Sequence, residues 1–199
     1  MKKIPLMLLT LGVIGALGYG SYSMVMKFMH KEVYGIILVD KDAGKLEALA
    51  QKQKSDINQM AEVIGKWVAT TKTLALTKDQ AEQLIKQKAL KTVTQKGENF
   101  EFTTLKQINT QLPILYSKNP TDSVTDASGN EYVINANEYV VLGESSAGVA
   151  AILILDQAAY NNFIGEAITV QALDQKVDAS KALANYTSAE ILQIYDLKK

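Results

Sequence analysis

The start of the chain carries no charge between Lys3 and Lys27. The run from Ile4 to Met26 supplies roughly the 20 mostly apolar residues that a helix needs to cross a bilayer core about 30 Å thick. Such a segment commits the start of the chain to a membrane or to an export route. We expect an uncleaved single-pass anchor at residues 1–30, with its amino end in the cytoplasm and the rest of the chain outside.

The same segment also has the layout of a secretory signal peptide. Two lysines precede a short apolar region at residues 4–14, and Ala16 and Gly18 are small residues suited to a cleavage site. Because hydrophobicity resumes after Ser21 and continues to Met29, the uncleaved anchor is the favoured interpretation. The alternative is an exported, cleaved protein that binds a small molecule or a peptide through an α+β domain.

Composition limits what the remaining residues can do. Hydrophobic residues make up 47% of the 199-residue chain, which is enough for one folded domain. The formal net charge is zero and every basic residue is lysine, so nucleic acid is excluded as a partner. The absence of cysteine excludes disulfides and thiolate metal sites, and we expect no cofactor.

A helix is predicted after the anchor. Between Ala43 and Thr70, apolar residues recur at spacings of three or four residues or their approximate multiples, which indicates an amphipathic helix. Residues 31–72 are therefore expected to form a stem that prolongs the anchor. Its apolar stripe has more width than one small sheet covers, so the stripe is a candidate interface. The interface residues are Leu49, Ile57, Met60, Ile64 and Trp67.

Further elements are expected along the rest of the chain. Thr77 and Gln80 form a predicted capping box that opens a second helix, and another helix is expected after Asp156. Residues 36–39 could be a short strand or the last turn of the anchor. Strands are expected at residues 100–102, 132–135, 138–142, 149–155 and 168–173, and the middle three are predicted to form an antiparallel meander. A short helix is expected from residue 104 to 113, and a closing helix, with a strand as the alternative, around residues 191–194.

This order of elements resembles type IV pilins and pseudopilins, most closely the minor pilins of the type IVb and conjugative thin-pilus group. The similar pieces are a stem ending near Trp67, a short helix running into Pro113, and a loop at residues 125–134 that leads into a strand. The resemblance implies an α+β fold: a transmembrane helix prolonged by a stem helix, then a small antiparallel sheet with flanking helices at residues 73–199. It also implies a structural or accessory subunit of a type IV pilus, secretion or conjugation apparatus.

Such a subunit would sit in the bacterial inner membrane and contact other subunits, including copies of itself. Two features of the family are missing, however. A pilin is cut after a small residue ahead of the apolar helix and carries a glutamate five residues into the mature chain. A cut after Gly18 would place Ser23 at that position, and a cut after Gly20 would place Val25. The resemblance therefore implies an accessory protein that stays in the inner membrane, and it leaves open whether the protein polymerises into a fibre.

No catalytic site is predicted. His30 is the only histidine and lies at the membrane exit, which excludes a Ser-His-Asp triad and a multi-histidine metal site from the domain. Ser145 and Ser146 lie in a glycine-flanked turn, where a Ser-Lys pair remains open but a role in the turn is favoured.

The polar loop at residues 117–130 is predicted to be a partner-facing surface. Asp122, Asp126 and Asn130 have oxygen atoms that could surround calcium, but their spacing does not match an EF-hand. Turns closed by aspartate and asparagine side chains explain the same residues, so we expect no metal.

Overall fold

The computed structural model describes residues 32–198, except 98, 109 and 110. The predicted anchor at residues 1–30, including His30, lies outside the described residues. Within the described part of the chain, no helix is long and apolar enough to cross a membrane.

Strands make up most of the regular structure. The described strands are β1 (Gly35–Asp40), β2 (Ile57–Val68), β3 (Thr73–Thr77), β4 (Leu90–Lys96), β5 (Asn99–Thr104), β6 (Ile114–Ser117), β7 (Ser123–Thr125), β8 (Glu131–Val133), β9 (Ala136–Glu138), β10 (Val140–Leu142), β11 (Ala151–Leu155), β12 (Glu166–Gln175) and β13 (Ile191–Tyr195). The α-helices are α1 (Ala43–Lys52), α2 (Lys78–Lys86), α3 (Gln157–Asn162) and α4 (Ala179–Ala182). Two 3-10 turns lie at Lys54–Asp56 and Leu183–Asn185.

Eight strands form one mixed sheet in the order β13-β1-β12-β2-β3-β11-β6-β9. The pairs β3/β11 and β6/β9 are parallel, and the other neighbours are antiparallel. β12 pairs with β2 over almost its whole length, from Ile57 to Trp67, whereas β3 pairs only with Lys66 to Val68. Two smaller sheets, β10-β4-β5 and β7-β8, accompany the large one.

Helices and small strands cover both faces of the large sheet. All residues of β1 and β3 are buried, as expected for strands packed on both sides. On one face, the main apolar cluster includes residues of α2 and of strands β4 and β10. On the other face, one cluster contains Leu46 of α1 together with Tyr186, and a separate cluster contains Phe163 packed with the β7/β8 hairpin.

The predicted helix starts are confirmed. At α2, the Gln80 amide donates to Thr77 Oγ1 at 3.2 Å and the Thr77 amide donates to Gln80 Oε1 at 2.8 Å, which is the predicted capping box. α3 begins directly after Asp156, whose carboxylate accepts from the Ala159 amide. The residues that form each helix start lie close together in the sequence, so a short-range pattern predicts them.

The predicted stem helix is wrong. α1 ends at Lys52, and residues 57–68 form β2. In this strand Met60 and Ile64 are exposed on one face, while Val63 and Trp67 are buried on the other. On each face of the strand the two apolar residues lie four positions apart. This spacing is the same as that of an apolar stripe on a helix, which explains the wrong prediction. The predicted pilin-like fold with a small antiparallel sheet is therefore also wrong, because strands outweigh helices among the described residues and the main sheet is large and mixed.

Pairing between distant strands overturns three further predictions. The expected strands at residues 132–155 exist, but they do not form a meander: β10 pairs with β4, and β11 pairs with β3 and β6. Residues 105–108 are irregular instead of helical. The C-terminal residues form strand β13 beside β1, so the strand alternative is correct there and the closing helix is wrong. The strands predicted at residues 36–39, 100–102 and 168–173 are confirmed as β1, β5 and β12.

Candidate interaction surface

One edge of β2 is left without a neighbouring strand. In an antiparallel strand, alternate residues direct their backbone groups to opposite sides. Because the Ile64 carbonyl accepts from side chains outside the β2/β12 ladder, the N–H and C=O groups of Ile64, Glu62 and Met60 point away from β12. No strand of the described residues pairs with β2 there before Lys66, and residues 58–62 are exposed or half-buried. We call residues 58–62 the open edge; five residues of strand span about 17 Å.

Two side chains occupy the backbone carbonyl of Ile64, the residue of β2 that lies between the open edge and the part paired with β3. The Ile64 carbonyl accepts hydrogen bonds from Gln80 Nε2 at 2.7 Å and from the Tyr160 hydroxyl at 3.0 Å. Gln80 lies in the first turn of α2 and Tyr160 lies in α3. The strand is therefore anchored at Ile64 and free of strand partners below it.

Apolar and acidic side chains alternate along this edge. Met60 is 47% exposed and Ile64 is 51% exposed, with Glu62 between them on the same face of the sheet. On β12, directly opposite, Gln171 donates from Nε2 to Glu62 Oε2 at 2.7 Å. Gln171 is fully buried, and its Oε1 atom has no hydrogen-bond partner among the described residues. The result is a carboxylate held in place between two exposed apolar side chains.

Lys66 fixes α3 against β2 next to this surface. Its Nζ atom donates to the carbonyls of Tyr160 at 2.7 Å, Asn161 at 3.1 Å and Phe163 at 2.7 Å, and lies 4.9 Å from the centre of the Tyr160 ring. A lysine in this position satisfies carbonyls at the helix end and complements the helix dipole. Lys66 therefore links β2 to the end of α3 beside the open edge.

The polar loop is attached to the end of the same helix. The Asp126 carboxylate accepts from the Ser128 amide at 2.8 Å, from the Asn130 amide at 3.0 Å, from Asn130 Nδ2 at 2.9 Å and from the Ile164 amide at 2.9 Å. Burial alone would raise the pKa of Asp126, but these hydrogen bonds lower it below the ordinary value. Asp122 is exposed. In the described part of the chain, no group of three or more metal-ligating side chains is present.

The residues of the predicted interface occupy different environments. Trp67 is buried in the core, and Leu49 and Ile57 pack against the cluster under α1. Of the five stripe residues, only Met60 and Ile64 are exposed large hydrophobic side chains. Whether they form an interface stays a prediction.

Glu62 and Gln171 were not predicted from sequence. A strand assignment for residues 57–68 would have placed Glu62 between Met60 and Ile64 on one face, so the missing signal was the correct period. Gln171 lies on β12, and its place opposite Glu62 depends on long-range pairing that sequence spacing does not reveal.

A second polar cluster is buried beneath the small sheet. Lys91 is fully buried and donates to Thr104 Oγ1 at 2.9 Å and to the Asp196 carbonyl at 2.7 Å. Glu144 Oε1 accepts from the Asp196 amide at 3.0 Å. These contacts join β4 and β5 to the residue after β13, so we assign the cluster a structural role. In the neighbouring turn, Ser145 Oγ accepts from the Ala147 amide at 3.1 Å, which is the turn role expected for it.

Comparisons with known proteins identify a relationship over most of the described chain. A family model described as an uncharacterised lipoprotein family matches residues 33–198. The crystal structure of a candidate lipoprotein from Bacillus anthracis is similar, with a TM-score of 0.69 and 17% sequence identity, over 82% of this chain and 99% of that chain. At this identity, the likeness shows the fold alone. No curated protein matches the sequence.

These matches correct three predictions. The resemblance to type IV pilins is wrong, because the matched family is a lipoprotein family. The prediction of a pilus, secretion or conjugation subunit is wrong for the same reason. The single-pass inner-membrane localisation is also wrong, because the matched family is a lipoprotein family and no helix of the described residues could span a membrane.

Proposed function

The chain belongs to this uncharacterised lipoprotein family, and from that premise we propose that it is an exported binding domain and not an enzyme. The sequence has the basic start, apolar region and small residues of a signal peptide within residues 1–18. It contains no cysteine, so none of the 199 residues offers a thiol for a thioether- or thioester-linked lipid. We therefore propose cleavage of the signal peptide and export without a cysteine-linked lipid.

The observation that carries the binding role is the open edge beside Met60 and Ile64. Unpaired strand edges are usually shortened, charged or covered, because they readily pair with other chains. Here the edge runs for five residues, and the apolar side chains of Met60 within it and Ile64 beside it are about half exposed. An unpaired strand edge is the feature to which a partner can add an extended strand.

The chemistry of the surface favours a protein partner. The formal net charge is zero, no arginine is present, and the charged group at the centre of the surface is the Glu62 carboxylate. Nucleic acid would be repelled by this carboxylate, and residues 57–64 contribute no lysine that could neutralise its phosphates. We therefore propose that the partner is a protein or a peptide.

Site-specific photo-crosslinking in the producing cell tests this function. A photo-reactive amino acid replaces Met60 in one variant and Phe100 in a control variant; Phe100 is 37% exposed on β5 of the small sheet. We expect export of both variants and a discrete adduct only from position 60. Identical adducts from both positions, no adduct from position 60, or retention of the protein in the cytoplasm would contradict the proposal.

A further inference from the structure

We propose that the open edge of β2 binds an extended peptide segment as an additional strand, with a basic residue opposite Glu62 and apolar residues opposite Met60 and Ile64. This inference rests on the proposed function and names the chemistry of the partner. The expected sequence pattern is apolar, any residue, basic, any residue, apolar.

Backbone chemistry selects a strand as the occupant. The N–H and C=O groups of Met60 and Glu62 face away from β12, and no backbone partner for them exists among the described residues. Donor and acceptor repeat with the period of a strand, so an extended backbone can satisfy them together. A compact small molecule could satisfy only part of this row.

Side-chain chemistry selects the sequence of that strand. Residues directly opposite each other on adjacent strands have their side chains on the same face, about 4.5–5.5 Å apart at Cβ. A lysine or arginine opposite Glu62 would meet a carboxylate that Gln171 already holds at 2.7 Å. Among the described residues, no donor reaches the buried Gln171 Oε1 atom of the same side chain. Apolar residues two positions to either side would cover Met60 and Ile64.

Charge complementarity favours a foreign strand over a second copy of β2. Residues 57–64 contain no lysine, so the same segment of a second copy offers no cation to Glu62. The next lysine along the strand, Lys66, donates to three carbonyls at the end of α3. A symmetric pairing centred on Glu62 would also bring two carboxylates together, which is unfavourable.

Fluorescence anisotropy with the full chain tests the proposal. The probe is a labelled peptide, Thr-Val-Thr-Lys-Thr-Val-Thr, with capped ends. We expect saturable binding to the wild-type protein. Because the lysine amide would face the backbone of Glu62, methylation of that amide nitrogen should abolish binding. The valine amides stay unmodified in this test, since the Ile64 carbonyl already accepts from Gln80 and Tyr160. Methylation of the threonine amides on either side of the lysine, which face away, should preserve it.

Two protein variants complete the test. Glu62→Pro removes an N–H that the β2/β12 ladder does not use, so the strand should survive while binding weakens by at least about tenfold; Glu62→Ala is the matched control for the lost side chain and should bind more tightly than Glu62→Pro. Glu62→Lys keeps the backbone intact and should prefer a peptide with glutamate at its centre. Unchanged affinity in Glu62→Pro, or no exchange of charge preference in Glu62→Lys, would overturn the proposal.

The remaining outcomes separate this inference from the function on which it rests. If no peptide binds but the adduct at position 60 persists, the strand proposal fails and the binding function stands. If that adduct is missing as well, both fail. If light scattering shows a dimer that Glu62→Pro converts to a monomer, a second copy occupies the edge and the peptide proposal is overturned.

Discussion

A single buried carboxylate, that of Asp126, orders the loop beside α3. It accepts four N–H donors, three of them from Ser128 and Asn130 within the loop and one from Ile164 beyond the helix. Asp126→Asn keeps the size of the side chain but removes its charge and replaces one acceptor by a donor. We expect a loss of about 2 kcal/mol in the free energy of unfolding, measured by urea titration.

The matched control for this change lies in the same loop. Asp122 is exposed, so Asp122→Asn should alter the free energy of unfolding by less than about 0.5 kcal/mol. Equal losses in the two variants would show that the Asp126 hydrogen bonds do not order the loop.

Asp40 makes the stability of the domain depend on pH. It is buried at the end of β1 and accepts hydrogen bonds from the Asp42 amide at 2.9 Å, from Lys45 Nζ at 2.6 Å and from the Glu190 amide at 3.1 Å. Burial alone would raise the pKa of Asp40, but Lys45 and the two amides outweigh burial and lower it. A carboxyl whose folded-state pKa is lowered stabilises the fold above its unfolded value of about 3.9, and this contribution disappears as pH falls through the folded value.

The expected result is a steep loss of stability in acid that depends on Asp40. The free energy of unfolding of the wild type should fall between about pH 5 and pH 2. Asp40→Asn should be less stable than the wild type at neutral pH and should lose less over the same interval. Urea titrations at several pH values measure both quantities, and parallel pH profiles would refute the assignment.

At the scale of elements, sequence predicts features that depend on near neighbours. The capping box of Thr77 and the start of α3 at Asp156 were found because the residues that form them lie three positions apart. β2 was assigned to a helix because Met60 and Ile64 are apolar and exposed, so the strand does not alternate cleanly between apolar and polar residues. The feature that misled the prediction is thus the feature that marks the candidate surface.

Gly65 marks the place where β2 meets its short neighbour β3. A Cβ atom at Gly65 would lie 2.6 Å from Leu74 Cδ1 and 2.9 Å from the Ala75 carbonyl oxygen. Because the carbonyl belongs to the sheet backbone, Gly65→Ala should destabilise the protein by about 1–3 kcal/mol through overpacking. Thermal unfolding followed by circular dichroism measures this loss.

A second glycine provides the control for Gly65→Ala. Gly44 lies in α1, and a Cβ atom there would come no closer than 3.4 Å to Asp42 Oδ1. Alanine is the better helix former, so Gly44→Ala should leave the melting temperature unchanged or raise it. A comparable loss in both variants would mean that glycine flexibility, and not close approach of β3, determines the result.

The order of strands in the whole molecule explains why the pairing of the large sheet could not be predicted from the sequence. β1 near the start of the described chain lies between β12 and β13 at its end, and β3 lies between β2 and β11. Such pairings join segments up to about 160 residues apart, and short-range patterns carry no information on them. Glu62 and Gln171 come together only through this long-range pairing, so the exposed apolar residues of the candidate surface could be named from sequence but its fixed carboxylate could not.

The processing of the N-terminus determines whether the whole molecule is released or stays attached to a membrane. The family is one of lipoproteins, yet the sequence contains no cysteine. We therefore expect the protein isolated from its producing cell to begin at Tyr19 or Ser21, after loss of the signal peptide, and to have the mass of the bare polypeptide. Intact mass spectrometry and N-terminal sequencing measure both properties. An intact Met1, or an added mass equal to that of acyl chains, would contradict this expectation and would show that the protein is tethered to a membrane.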